Sequence, residues 1–201
     1  ELPPLIVNVH GGPTEAARPG LQVPFQYWTS RGFAVLDVNF RGSTSFGRPY
    51  RQRLNGNWGV MDVQDCIDGA QYLVDLGRVD PKRIAIRGRS SGGFTVLNAL
   101  ASSEVFTAGA SFSGIADLAK LAETSHKFES HYDGILLGTD DRSDPVWAQR
   151  SPINRVSHIK APLMLLQGTA DPVVPASQAQ EMYEALRANG NAVALKLYQG
   201  E

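Results

Sequence analysis

Short apolar runs alternate along the chain with longer stretches in which apolar residues return every three or four positions. Leu5-Ile6-Val7-Asn8-Val9 is the first run and ends at His10-Gly11-Gly12-Pro13. Residues 33–38 form the second and lead into a glycine-rich stretch over 41–47. Residues 84–86 form the third, after the turn signal Asp80-Pro81 and before Gly88. Residues 108–112, Leu163-Met164-Leu165-Leu166 and residues 192–198 complete the series. Continuous runs of this kind predict strands buried on both faces, as in a parallel sheet. Helical stripes lie between them. Val60, Val63, Ile67, Ala70 and Val74 mark one over 59–76, with Cys66 on its apolar side. Val96, Leu97 and Leu100 mark a second over 91–101. Ala179, Met182, Tyr183 and Leu186 mark a third, opened by Pro175 and stopped by Gly190. The alternation predicts βαβ units, hence an α/β fold whose mostly parallel sheet is flanked by helices. Residues 114–151 follow neither period and are expected to form an excursion after the fourth strand, of the kind that often carries function.

Composition narrows the function classes. A chain of 201 residues buries a full core as one domain without covalent staples. Lys+Arg 19 against Asp+Glu 20 leaves a net charge of -1, without the basic excess of a nucleic-acid binder. Cys66 is the single cysteine, so no internal disulfide and no Cys-rich metal site is expected. No apolar run approaches the ~18–20 residues of a membrane span. Glu1-Leu2-Pro3-Pro4 has neither the basic region nor the apolar region of a leader, which with the single cysteine points to the cytoplasm.

The strongest chemical signal is Gly88-Arg89-Ser90-Ser91-Gly92-Gly93, which fits G-x-S-x-G between a strand and a helix. In that context a sharp turn lifts the Ser90 hydroxyl above the sheet edge. Glycines two before and two after let neighbouring backbone pass close. Ser91 opens the helix, so its N–H and the helix dipole face the place where an oxyanion develops. Phosphate-binding loops are excluded: no Gly-Lys-Ser/Thr follows, and the dinucleotide spacing G-x-G-x-x-G is absent. His10-Gly11-Gly12-Pro13 follows the first strand, where α/β-hydrolases place the other half of an oxyanion hole; His10 is then a loop residue, since a base is expected after the acid. Asp171 follows the fifth run and stands downstream of Ser90, the order Ser…Asp…His of an α/β-hydrolase triad. Arg41 is expected to tie a loop by hydrogen bonds. Asp62 and Asp65 are read as favourable first-turn carboxylates.

With these residues quoted, the chain resembles the C-terminal catalytic domain of the prolyl oligopeptidase family of serine peptidases, in particular its bacterial dipeptidyl and acylaminoacyl peptidase members. The matching stretches are His10 to Pro13, Asn39-Phe40-Arg41-Gly42-Ser43 with Phe46-Gly47, and Trp58-Gly59 with Asp62 and Asp65. They continue with Val79-Asp80-Pro81, Gly88 to Gly93, residues 125–130, and Gly168 to Pro175 with Gln178. The resemblance implies an α/β-hydrolase fold, Ser90 as nucleophile and Asp171 as the acidic member. It implies the N–H groups of Gly12 and Ser91 as oxyanion hole, and Phe128, Tyr132 and Val174 as substrate pocket. No metal and no organic cofactor is implied. The implied partners are short peptide substrates and an N-terminal β-propeller; homo-oligomerisation is left open, and neither nucleic acid nor membrane is expected.

The family's base lies in a Gly-His-Gly-Phe-like stretch after the last strand, about two positions beyond Glu201. His10, His126, His131 and His158 all precede Asp171 and are expected to be loop or surface residues. Residues 1–201 are accordingly expected to be a fragment truncated at both ends, lacking the propeller, the first strands, the histidine loop and the last helix. Alone it is expected to be inactive or nearly so. The alternatives are a carboxylesterase on the same fold and a non-catalytic binding module of that fold.

Overall fold

Each apolar run becomes a strand. They are Leu5–Val9 (β1), Ala34–Val38 (β2), Ile84–Arg89 (β3), Ala108–Phe112 (β4), Leu163–Gly168 (β5) and Val193–Tyr198 (β6). The computed structural model describes residues 1–124 and 131–201. All six strands are parallel, in the order β2-β1-β3-β4-β5-β6. This is the expected α/β-hydrolase sheet.

The three expected helices are Met61–Asp75 (α3), Ser91–Ser102 (α4) and Ala176–Ala188 (α8), and Gly190 stops the last with φ 84°. Short helices that the pattern did not predict are Val23–Thr29 (α1), Arg48–Gln52 (α2), Leu118–Thr124 (α5), Tyr132–Leu137 (α6) and Pro145–Arg150 (α7), with a 3-10 segment Pro152–His158. They span five to seven residues, too few to repeat a 3.6-residue period. The excursion over 114–151 therefore carries helices rather than irregular chain, and no strand among its described residues.

Helices α3, α4 and α8 cover one face of the sheet. Ile84, Ile86, Leu163 and Leu165 point into that layer against Phe94, Leu97 and Met182. The opposite face is less covered by residues 1–201. Its row Arg87, Ala110 and Met164 is only partly covered, and Met164 is 48% exposed.

The topology sets the site. The chain leaves β1 toward β2 at the edge, then returns past β1 to β3. Strand order reverses there, and the C-terminal ends of β1 and β3 border the crevice where open α/β sheets bind ligands. The loop after β2 is fixed nearby: the Arg41 guanidinium donates to Asp65 on α3 at 2.6–3.0 Å, as a loop tie. Cys66 is fully buried in the α3 seam.

Candidate active site

Ser90 stands between β3 and α4 with φ 55° and ψ −123°, a backbone conformation that costs an L-residue strain. Its neighbours explain how the turn closes. A Cβ on Gly88 would overlap the Gly92 carbonyl group, and one on Gly92 would overlap the Val9 carbonyl oxygen. A Cβ on Gly93 would lie 2.7 Å from Gly114 Cα. The three glycines thus let α4 start directly against β1 and the chain beyond β4. The Ser90 N–H donates to Phe112 O at 2.8 Å, pinning the turn to the end of β4. Ser91 is the first residue of α4, so its N–H has no acceptor within the helix.

The loop after β1 runs past the same point. The Cβ position of Gly11 is 3.7 Å from Ser90 Cβ, and Gly12 adopts φ 116°. Gly12, Ser90, Ser91, Tyr132 and Val174 line one cavity of about 80 Å³, with Trp58 in its wall. Tyr132 is held there by a 2.7 Å hydrogen bond between its hydroxyl and that of Thr14. Two of the three expected pocket residues therefore meet at Ser90. Phe128 lies outside the described residues.

Asp171 sits after β5 in an adjoining groove of about 530 Å³, which Arg89 also lines. Val173 borders both spaces. One carboxylate oxygen of Asp171 accepts the N–H groups of Val173 and Val174 at 2.9 and 3.0 Å. Burial pushes the carboxyl up, but the Val174 and Val173 N–H groups, the Ser113 hydroxyl and the Arg89 charge outweigh it, and the pKa falls below the usual carboxylate value. Ser113 follows Phe112, whose carbonyl receives the Ser90 N–H, so the end of β4 links the Ser90 backbone to the Asp171 carboxylate. Asp171 is thus an ionised carboxylate on the rim that carries Ser90.

The described histidines are engaged elsewhere, as expected. His10 Nδ1–H donates to Gly11 O at 2.8 Å, so Nε2 accepts the Ser43 hydroxyl at 2.7 Å, and the ring stacks on Phe40. Burial lowers its pKa against the opposing Gly11 carbonyl, Asp37 and Glu15, which favours the neutral ring. His131 pairs with Asp140 at 3.2 Å on the surface, and His158 is exposed at the end of the 3-10 segment. His126 lies outside the described residues. No group of three or more His, Cys, Asp or Glu side chains suited to a metal ion occurs among the described residues.

Ser113 went unnoticed in the sequence, and Ser43 stood out only as part of a stretch that matches the family. Their contacts, Ser113 with Asp171 and Ser43 with His10, join distant segments, and nothing local marks them. Trp58 was visible only through the resemblance.

The model of the prolyl oligopeptidase family matches residues 19–201. The chain belongs to that family. It is 34% identical over 204 residues to dipeptidyl aminopeptidase BIII of Pseudoxanthomonas mexicana, covering 98% of this chain and 30% of that protein. It is 31% identical to the acylamino-acid-releasing enzyme of Homo sapiens over 97% of this chain and 28% of the enzyme. A puromycin-hydrolyzing peptidase of Mycobacterium tuberculosis superposes with a TM-score of 0.98 at 46% identity, over all of this chain and 31% of that one. The chain thus spans less than a third of the length of these relatives. No described helix is long and apolar enough to cross a membrane.

Proposed function

We propose that this chain is the catalytic domain of a serine peptidase acting on short peptides. The observation that carries the reading is the strained Ser90 turn, set against Gly12 and one strand removed from an ionised Asp171. One relative is named a dipeptidyl aminopeptidase and another an acylamino-acid-releasing enzyme, in line with that substrate class. A β-propeller in the whole protein is part of the same proposal, as is a cytoplasmic location suggested by the single free cysteine.

In this reading the Ser90 hydroxyl attacks the scissile carbonyl while an imidazole removes its proton. The histidine is supplied by sequence following Glu201. Glu201 O accepts the Ala170 N–H at 2.7 Å, and Glu201 lines the same groove as Asp171. Asp171 holds the imidazole in one tautomer and stabilises its charged form. The N–H groups of Ser91 and Gly12 receive the oxyanion, aided by the α4 dipole. Collapse expels the amine, which takes the proton from the imidazolium. Water then attacks the acyl-Ser90 ester by the same route and releases the acid. Tyr132 and Val174 hold the side chain before the cleaved bond.

The test is a panel of matched aminoacyl amides and esters given to the full-length protein and to Ser90→Ala. Hydrolysis of both classes, lost in Ser90→Ala, is expected. Ester turnover without amide turnover would make it a carboxylesterase, and turnover unaffected by Ser90→Ala would remove the reading.

A further inference from the structure

Asp62 takes no part in the chemistry above, yet it is the most enclosed carboxyl group among the described residues, at 0% exposure. One of its oxygens accepts the Gly59 N–H at 2.7 Å. The other accepts the Thr95 hydroxyl at 2.5 Å. Its own N–H and that of Val63 add two further bonds.

The two outside donors come from two different elements, each adjoining a residue that lines the cavity. Gly59 belongs to the corner that follows Trp58, and Trp58 lines the space around Ser90. Thr95 lies in the second turn of α4, the helix that begins at Ser91. Its hydroxyl is also 3.2 Å from Ser91 O, so its one hydrogen is shared between Asp62 and the first turn beside the nucleophile. The corner is fitted closely to that helix. The Trp58 ring lies 4.4 Å from the Phe94 ring, and a Cβ on Gly59 would come 3.1 Å from Phe94. The Arg150 guanidinium holds the Trp58 carbonyl at 3.0 Å from the outer side.

We propose that Asp62 is a positioning residue for the Ser90 site: by holding Gly59 and Thr95 at once, it fixes the Trp58 wall relative to the nucleophile helix and so sets the size of the acyl-side group the cavity admits. The proposal rests on Ser90 being the nucleophile. A fully buried carboxyl is a costly way to fill space, because an apolar residue of similar volume packs without desolvating a charge. Burial pushes this carboxyl up to about 6, against hydrogen bonds from Thr95 and Gly59 that pull it down. What an apolar residue cannot supply is two acceptors facing different elements. The cavity is only about 80 Å³, so a small movement of the Trp58 ring changes which side chains fit.

The experiment uses the full-length protein with a fluorophosphonate probe to count reactive Ser90 sites. Kinetics are then measured per labelled site on alanyl and leucyl anilides. Asp62→Asn keeps an acceptor for Gly59, and its amide N–H can donate to the Thr95 hydroxyl, which then gives its hydrogen to Ser91 O; both ties survive, so this variant should stay within about threefold of the parent on both substrates. Asp62→Ala should lose about 10–100-fold in kcat/KM on the leucyl substrate, chiefly through KM, and much less on the alanyl one, since small displacements near a site cost rates of this order. Thr95→Val cuts only the α4 side and should move the same ratio in the same direction, which keeps the test valid if Asp62→Ala does not fold. Unchanged per-site constants for a folded Asp62→Ala or Thr95→Val would reduce Asp62 to a stability element and overturn the proposal. A folded parent that the probe does not label at Ser90 would instead overturn the nucleophile reading beneath it.

Discussion

Ser90 and Asp171 hold unlike states for physical reasons. Ser90 keeps a strained backbone because three glycines and a strand-end hydrogen bond surround it. Asp171 keeps its charge because two backbone N–H groups, a hydroxyl and a nearby arginine outweigh its burial. In the proposed triad, Asp171→Asn leaves the packing in place but favours the wrong tautomer of the imidazole. A kcat lower by about 10⁴ is expected in the full-length protein, with the melting temperature little changed. His10 gives the opposite expectation. Its ring joins the loop after β1 to Ser43, so His10→Ala should destabilise the fold by about 1–3 kcal/mol through the unpaired Ser43 hydroxyl and lost stacking. It should leave the acid limb of the pH–rate profile intact; loss of that limb would make His10 the base.

At the scale of elements, the decisive contact is the close approach of α4 to β1. A methyl group on Gly92 meets the Val9 carbonyl and lies 2.8 Å from His10 O, both backbone atoms that cannot turn away. Gly92→Ala should therefore cost more than about 2 kcal/mol in urea unfolding. An unchanged midpoint would mean that α4 can retreat from β1. The junction of α3 and α4 brings a pH dependence of its own. The Asp62 carboxyl rises from 3.8 to about 6 on folding, chiefly by burial, so the folded state holds its proton more tightly than the unfolded chain. Its contribution is fully present below pH 3.8 and is lost as pH rises through 6. The loss amounts to about 3 kcal/mol at neutral pH. Arg150 on α7 and the buried Cys66 thiol are the ionisable groups coupled to it. Asp62→Asn carries no such charge. Its stability relative to the parent should rise between pH 4 and pH 7.5 in chemical unfolding, and a constant difference would contradict the sign.

At the scale of the molecule, the legible parts of the sequence were those that local chemistry controls. Six strands and three long helices followed from periodicity, and the serine turn from glycine spacing within a strand–helix context. Asp171 stood out because it follows a buried strand. Contacts between distant segments were hidden. Asp62 was read as a first-turn carboxylate; its position was right, but Thr95, 33 residues away, gave no sign of the bond that buries it. The short helices after β4 escaped because each turns fewer than two times.

The central claim is that Ser90 is a nucleophile served by the Ser91 and Gly12 N–H groups and by a histidine braced on Asp171. A crystal structure of the full-length protein after reaction with a fluorophosphonate tests it most directly. The account predicts phosphorus bonded to Ser90 Oγ, its oxygen within hydrogen-bond reach of the Ser91 and Gly12 nitrogens, and an imidazole between Ser90 and the Asp171 carboxylate. An adduct on another residue, or a phosphoryl oxygen turned away from both nitrogens with no imidazole at Asp171, would contradict it.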